Sequence, residues 1–227
     1  MMAYIILFIG IALVSFLVQQ NLQRKFKAYS KMQLTNGMTG REVAEQMLRD
    51  HGIYDVRVVS TSGELTDHFD PTKKTVNLSE SVYNQRSVAA AAVAAHECGH
   101  AVQHATAYAP LRMRSALVPV VSFASNWVQW ILLAGILLVN VFPSLLALGV
   151  ILFASTTLFS FVTLPVEVDA SRRATAWLQR ANITTPSNHS AAVDALHSAA
   201  YTYVVAALSS LATLIYYAMI LMGRSDD

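Results

Sequence analysis

Four long runs of apolar residues dominate the hydropathy pattern of the chain. They are residues 3–18, 117–141, 145–164 and 203–222. A helix needs roughly 20 apolar residues to cross the hydrocarbon core of a bilayer, so the first run must extend to Leu22. The alternative, four core helices of a soluble protein, is disfavoured because the rest of the chain is too small to bury them. The pattern therefore predicts four transmembrane helices, and Pro143 marks a tight hairpin between the second and third.

Between the first two runs, the pattern changes to short helical and strand-like segments. Residues 38–52 predict a helix in which Thr39 is the N-cap and Glu42 completes a capping box. Residues 53–60 are β-branched and strand-like, and residues 64–79 predict two short strands around a turn. A small soluble region with both helix and strand is therefore predicted here.

A histidine-rich stretch, VAAHECGHAVQH at residues 93–104, follows in an alanine-rich run that predicts a helix beginning after Ser87. His96, Glu97 and His100 form the motif H-E-x-x-H. Residues four apart stand on the same face of a helix, so the two imidazoles can bind one Zn²⁺. Glu97 sits about 100° round the helix, where it can act as general base toward a zinc-activated water. The spacing thus supplies two ligands and one base.

At least one further ligand must come from elsewhere in the chain. His104 lies eight residues, about 12 Å along the axis, from the first histidine of the motif, too far to share one ion. Glu167 and Asp169 follow the third apolar run directly, where Pro165 favours a break and a new helical start. On composition alone, the two carboxylates are equal candidates. A purely structural zinc is disfavoured because such sites favour cysteine-rich ligand sets.

Composition and charge agree with a membrane protein. The 227 residues are 54% hydrophobic and 13% charged, against about 25% charged in an ordinary soluble domain. The net charge of +2, with no basic block interleaved with aromatic residues, argues against nucleic acid as a partner. The single cysteine, Cys98, cannot form an intramolecular disulfide, and we interpret it as a small packing residue.

The Lys and Arg residues predict the orientation of the spans. All of them except Arg224 lie in residues 23–116 and 165–202. Because short cytoplasmic segments carry an excess of Lys and Arg, both segments are predicted to be cytoplasmic and both termini outside.

Two segments resemble a known family. LTDHFDPTKKTVNLSESVYNQRSVAAAAVAAHECGHAVQH (residues 65–104) and LPVEVDASRRA (residues 164–174) resemble the YugP-type family of membrane-embedded neutral zinc metallopeptidases. The second segment is also similar to the E-x-x-x-D signature of HtpX-like and CAAX-protease-like gluzincins. The resemblance covers about residues 1–222. The site that it implies has His96, His100 and Glu167 as ligands of one Zn²⁺ and Glu97 as the catalytic base.

The chain departs from the HtpX-like signature at Ser171, where that signature has an aspartate. The hydrogen bond expected there would be weaker or differently made. In related gluzincins an extended edge strand pairs with substrate, and residues 75–78 are the matching segment by analogy. The sequence does not choose among four candidates for stabilising the oxyanion: His104, His197, Tyr201 and Tyr203.

The sequence and the resemblance together predict a mainly α membrane protein with four transmembrane helices and a small α+β, gluzincin-like zinc metallopeptidase domain that carries the H-E-x-x-H helix. The predicted activity is a zinc-dependent endopeptidase of the bacterial plasma membrane. It acts on membrane-associated protein or peptide substrates, with its site on the cytoplasmic side. The predicted segments are a first transmembrane helix at 1–22, a cytoplasmic zinc-peptidase region at 23–116, a transmembrane hairpin at 117–164, a cytoplasmic segment with the third ligand at 165–202 and a fourth transmembrane helix at 203–222.

Two other functional classes compete with this interpretation. One is a metal-binding membrane scaffold that has lost hydrolysis, and the intact Glu97 argues against it because a structural site does not need that carboxylate. The other is a transporter, which is disfavoured because the four spans lack charged residues in their middles.

Overall fold

A computed structural model describes the backbone of residues 2–223 and the side chains of residues 5–223. Arg224, the exception in the charge distribution above, lies outside the described residues. The described chain forms helices and a three-stranded sheet. In chain order, the elements are α1 (Met2–Tyr29), α2 (Gly40–Asp50), β1 (Arg57–Thr61), β2 (His68–Asp70), β3 (Thr75–Ser79), α3 (Glu80–Tyr83), α4 (Val88–Ala105), α5 (Ala109–Leu137), α6 (Pro143–Arg180) and α7 (His189–Met222).

The chain divides into two compact units. The helical unit contains the described parts of Met1–Phe16, Arg112–Leu164 and Tyr203–Asp227. The sheet-containing unit comprises Leu17–Leu111 and Pro165–Thr202.

Four helices are long and apolar enough to cross a membrane, judged by length and composition: Ile5–Tyr29, Ala109–Leu137, Pro143–Arg180 and His189–Met222. The predicted mainly helical class with four candidate spans is therefore confirmed. Each helix is longer than the apolar run that predicted it. The 38 residues of α6 extend roughly 57 Å at 1.5 Å per residue, about twice the thickness of a bilayer core. Hydropathy marks only the part of a helix that can lie in lipid. The helical backbone itself continues beyond that part.

The predicted helix break at Pro165 is wrong, because α6 continues through this residue to Arg180. A proline inside a helix removes one backbone hydrogen bond and bends the axis, and long apolar helices tolerate that loss. Glu167 and Asp169 therefore lie in the interior of α6. An acidic residue in a helix interior cannot complement the dipole of a helix N-terminus. The presence of two carboxylates directly after an apolar run must therefore have another cause.

In the helical unit, α5 and α6 form the predicted hairpin, with residues 138–142 as the connection. Their backbones approach closely at Gly135, where an added Cβ would lie 2.7 Å from Leu146 Cα. The hydroxyls of Thr157 and Ser210 share a hydrogen bond of 2.7 Å between α6 and α7. Small residues and hydroxyl bonds of this kind are how helices associate in lipid, where no hydrophobic effect drives them together.

The sheet has the order β1-β3-β2. β3 is parallel to β1, with Thr75 opposite Arg57, and antiparallel to β2, with Asn77 opposite His68. The prediction that residues 75–78 form an edge strand is therefore wrong, because β3 is the central strand. The analogy rested on position along the chain, whereas an edge strand is defined by the order of strands in the sheet. In the order β1-β3-β2, the edge strands are β1 and the short β2.

The predicted helix starts are confirmed. The Thr39 hydroxyl accepts from the backbone N–H of Glu42, while the Glu42 carboxylate accepts from the backbone N–H of Thr39 at 2.8 Å. The Ser87 hydroxyl accepts from the backbone N–H of Ala90 at 3.2 Å. Each bond satisfies an amide that the helix itself cannot pair.

The alanine-rich α4 lies in the core of the sheet-containing unit, and most of its residues are buried. It packs against α2, whose Val43 and Met47 are fully buried, and the same core contains Trp177 of α6. Alanine side chains are short, so neighbouring helices can come close to the α4 backbone. The composition that predicted a helix also makes that helix a suitable centre for the core.

The backbones of α4 and α6 are in direct contact at Gly99. A Cβ built there would lie 2.6 Å from Ala170 O and 3.1 Å from Ala170 Cα. The first distance is shorter than any ordinary contact of a Cβ atom, and the opposing atoms are backbone that cannot rotate away. Glycine at this position thus allows the H-E-x-x-H turn of α4 to lie against the turn of α6 that follows Glu167.

We expect Gly99→Ala to destabilise the protein by about 1–3 kcal/mol, because the added methyl group forces the two helices apart. The measurement is the thermal unfolding midpoint in detergent. Gly10→Ala is the matched control, since Gly10 is also helical and a Cβ built there meets nothing within 4 Å. An unchanged midpoint for Gly99→Ala would contradict the close contact.

Candidate metal centre

Two histidines of α4 and one glutamate of α6 bring their side chains together. The Nε2 atoms of His96 and His100 lie 3.3 and 3.5 Å from the same oxygen of Glu167. The potential ligand atoms of all three residues lie within 4.8 Å of one another. The side chains are 14%, 11% and 4% exposed, in the same order. Within the residues that the structure describes, no other group of His, Cys, Asp and Glu side chains meets this geometry.

This donor set fits zinc. Ligands at 2.0–2.1 Å from a tetrahedral Zn²⁺ stand about 3.3 Å apart, which is close to both observed nitrogen–oxygen distances. Two imidazoles and one carboxylate are also a ligand set that catalytic zinc sites use. The clustering of a carboxylate against two Nε2 atoms on a largely buried face therefore has the chemistry of a zinc site.

The other ring nitrogen of each histidine has a hydrogen-bonding partner. Ser171 Oγ lies 3.1 Å from His96 Nδ1, and Gln103 Oε1 lies 3.1 Å from His100 Nδ1. Histidines that bind metals characteristically use their second nitrogen in this way, which fixes the orientation of the ring. Ser171 is the departure noted in the sequence, and its hydroxyl occupies a position from which it can orient His96.

Asp169, the rival candidate for third ligand, bonds elsewhere. Its carboxylate accepts from Gln103 Nε2 at 3.1 Å and from the guanidinium groups of Arg172 and Arg173. Residues two apart on a helix are separated by roughly 200° around the axis, so Glu167 and Asp169 cannot present the same face to α4. The structure brings Glu167 to the two histidines and leaves Asp169 outside the cluster.

Glu97 is nearly buried, with 8% of its surface exposed. Within the described part of the chain, its carboxylate has no hydrogen bond or ion pair. It lies between the two histidines in the sequence of α4, one residue after His96. A buried carboxylate without a protein partner has its oxygens available to a water or a substrate.

His104 and Cys98 do not join the cluster. The exposed His104 has its ring 5.8 Å from that of Phe69. Cys98 is fully buried, and its thiol donates to Ala44 O at 3.5 Å. Burial raises the pKa of the Cys98 thiol well above its ordinary value, so the group stays protonated. The interpretation of Cys98 as a packing residue agrees with this environment.

Two opposing effects act on the pKa of His100. Burial lowers it, but the hydrogen bond to Glu167 and the charges of Glu97 and Glu167 outweigh burial, so the pKa lies above its ordinary value. A metal ion binds the neutral imidazole. If His100 is a metal ligand, protons and metal compete for its ring, and the competition favours the proton as the pH falls.

Sequence reasoning assigned no role to Gln103, which is fully buried beside the cluster. A signal was nevertheless present, because Gln103 is the one uncharged polar amide in an alanine-rich run and stands three residues after His100. A residue at this spacing shares a helix face with the histidine. A buried polar side chain on such a face needs a partner.

The family described as "Putative neutral zinc metallopeptidase" matches residues 4–222. The protein named "Putative membrane protease YugP" from Bacillus subtilis (strain 168) is 41% identical over 226 residues, which cover the whole of both chains. No solved structure matches the chain. The family match and the full-length relative together show that the chain belongs to this family of neutral zinc metallopeptidases.

Proposed function

We propose that the protein is a membrane-embedded zinc endopeptidase in which His96, His100 and Glu167 hold one Zn²⁺ and Glu97 is the general base. The observation that carries the proposal is the convergence of both Nε2 atoms on one oxygen of Glu167, from two helices, in a zinc metallopeptidase family. The match of both distances to the spacing of zinc ligands supports it further.

The bound zinc would supply Lewis acidity, which polarises the scissile carbonyl and makes water a better nucleophile at neutral pH. Glu97 accepts a proton from the attacking water at its carboxylate and then donates that proton to the leaving amine. Its burial and its lack of a hydrogen bond to any residue that the structure describes support this role, because a carboxylate already bonded to an arginine or lysine would be a poor base.

The substrates that we propose are membrane proteins or their segments close to the bilayer. Glu167 follows the apolar run 145–164 by only three residues within the continuous helix α6. At 1.5 Å per residue, the third ligand stands about 5 Å along the axis from the end of that run. Polypeptide near the membrane surface is therefore the substrate for which such a site is suited.

The site faces the cytoplasm in this proposal, and both termini lie outside. The support is the distribution of Lys and Arg, which flank the four apolar runs on one side. The rival function, an inactive metal-binding scaffold, has no use for a buried Glu97 that pairs with none of the described residues, and burying such a carboxylate lowers stability. We therefore favour the enzyme.

Glu97→Gln is expected to lower kcat/KM by about 100- to 10,000-fold while zinc content stays the same. The amide keeps the shape of the side chain but cannot accept the proton. The assay measures cleavage of casein and of a membrane-protein segment, with zinc quantified in both proteins. Equal activity in the two proteins would refute the role of Glu97, and bound zinc with no cleavage by either would favour the scaffold.

Glu167→Ala is expected to lower zinc content strongly, because the third ligand is lost and two imidazoles remain. The measurement is metal analysis of the purified protein after dialysis against a weak chelator. His104→Ala serves as the matched control, since His104 is an exposed histidine of α4 that lies four residues after His100. The zinc content of this variant should equal that of the wild type. The reverse pattern would overturn the assignment of the third ligand.

Single cysteines can test the orientation, since Cys98 is the only native cysteine and Cys98→Ala removes it. In that background, Val141→Cys replaces a residue that is 83% exposed in the connection between α5 and α6. We expect a membrane-impermeant maleimide to label this cysteine in intact cells. Leu65→Cys, at a position 62% exposed in the sheet-containing unit, should react only after the cells are permeabilised. The opposite labelling would invert the proposed topology.

A further inference from the structure

Gln103 makes hydrogen bonds at both ends of its side-chain amide, although none of its surface is exposed. Its Oε1 lies 3.1 Å from His100 Nδ1. Its Nε2 donates to Val166 O at 2.8 Å and to the Asp169 carboxylate at 3.1 Å. The bonds connect a histidine of α4 with the segment of α6 on either side of Glu167.

Only one orientation of this amide satisfies its surroundings. The backbone carbonyl of Val166 can only accept a hydrogen bond, and so can the Asp169 carboxylate, which the guanidinium groups of Arg172 and Arg173 keep ionised. The amino group of Gln103 must therefore face these two acceptors. Its carbonyl oxygen must then face His100.

This orientation determines which nitrogen of His100 carries the proton. The Gln103 oxygen is an acceptor, so Nδ1 of the neutral ring has to be the donor. The lone pair of the ring then lies on Nε2, and Nε2 is the atom that faces Glu167 at 3.5 Å. Gln103 thus selects the tautomer whose Nε2 lone pair can bind a metal, in competition with the Glu167 carboxylate, which can accept a hydrogen bond from Nε2.

Further contacts hold Gln103 in this position. The Arg173 side chain that bonds Asp169 also lies over the ring of Tyr108, with its guanidinium carbon 5.6 Å from the ring centroid. The backbone N–H of Tyr108 donates to the backbone carbonyl of Gln103 at 2.9 Å. The contacts thus form a closed ring that begins and ends at Gln103 and crosses between α4 and α6.

The other histidine is held differently. Ser171 Oγ lies 3.1 Å from His96 Nδ1, and a hydroxyl can either donate or accept at that distance. Ser171 can orient the ring of His96 but cannot impose its tautomer. The two histidines are therefore not equivalent, and the stronger constraint acts on His100.

We propose that Gln103 is a positioning residue that fixes His100 in the Nδ1–H tautomer and couples the orientation of its ring to the helix that carries Glu167. The inference rests on the proposed function, because it assigns His100 Nε2 as a metal ligand. Asp169 has its own place in this arrangement, as the anchor of the Gln103 amide.

The test compares two variants of neighbouring buried residues. Gln103→Met keeps the approximate length of the side chain and removes all three hydrogen bonds, whereas Val102→Ala shortens a core side chain outside the hydrogen-bonding ring. Zinc affinity is measured by competition with a chelator, and the visible spectrum of the Co²⁺-substituted protein reports ligand geometry. We expect Gln103→Met to bind zinc about 10- to 100-fold more weakly and to alter the Co²⁺ spectrum.

The control separates positioning from general stability. Val102→Ala should lower the unfolding midpoint and leave zinc affinity and the Co²⁺ spectrum as in the wild type. Equal zinc affinity and identical spectra for wild type and Gln103→Met would overturn the proposal. If the wild type binds no zinc, the proposed function fails, and this result is distinct from the failure of the inference.

A second measurement needs no Gln103 variant and no metal. ¹⁵N NMR of histidine-labelled, metal-free wild type, at a pH where His100 is neutral, identifies the protonated ring nitrogen. The His100 signals are assigned by their loss in His100→Gln. We expect the Nδ1–H tautomer, and finding the Nε2–H tautomer would overturn the inference even if Gln103→Met failed to fold.

Discussion

The direct backbone contact between α4 and α6 is the constraint on which the candidate site depends. Gly99 lies inside the H-E-x-x-H motif, and the space that a side chain would need there is filled by Ala170 O. Only this close approach lets a carboxylate of one helix reach two imidazoles of the other within 3.3 and 3.5 Å. The small residues of the motif and the alanines around it therefore matter to the candidate metal site, because they set the distance between the helices.

Much of this arrangement follows from local sequence, and the rest depends on packing. The spacing of His96 and His100 and the cap at Ser87 are properties of one helix, so both could be predicted. The choice between Glu167 and Asp169 could not be derived from composition, because it depends on how α6 is rotated about its axis. The resemblance to known peptidases favoured Glu167, and the geometry agrees, with Asp169 turned toward Gln103 and two arginines.

The expectations that failed have a common physical origin. Pro165 was interpreted as a helix breaker from a local rule, and residues 75–78 were interpreted as an edge strand by analogy with related gluzincins. The outcome in each case was decided by non-local structure. A helix of 38 residues tolerates one missing hydrogen bond, and β3 becomes central because β1 and β2 pair with it from both sides. Ser171 shows the opposite case, since a residue that departs from the related signature still lies within hydrogen-bonding distance of His96 Nδ1.

The hydrogen bonds around the cluster distinguish the proposed zinc ligands and their neighbours from Glu97, the proposed base. The second ring nitrogen of His96 and of His100 has a hydrogen-bonding partner, and the Asp169 carboxylate accepts from two arginines. Glu97 differs from them, since it is buried at 8% exposure without a hydrogen-bonding partner in the described chain. Such a group lowers stability unless something else compensates, and the arriving water or substrate is the natural compensation. The site thus concentrates its unsatisfied polarity in the one carboxylate whose proposed role is to exchange a proton.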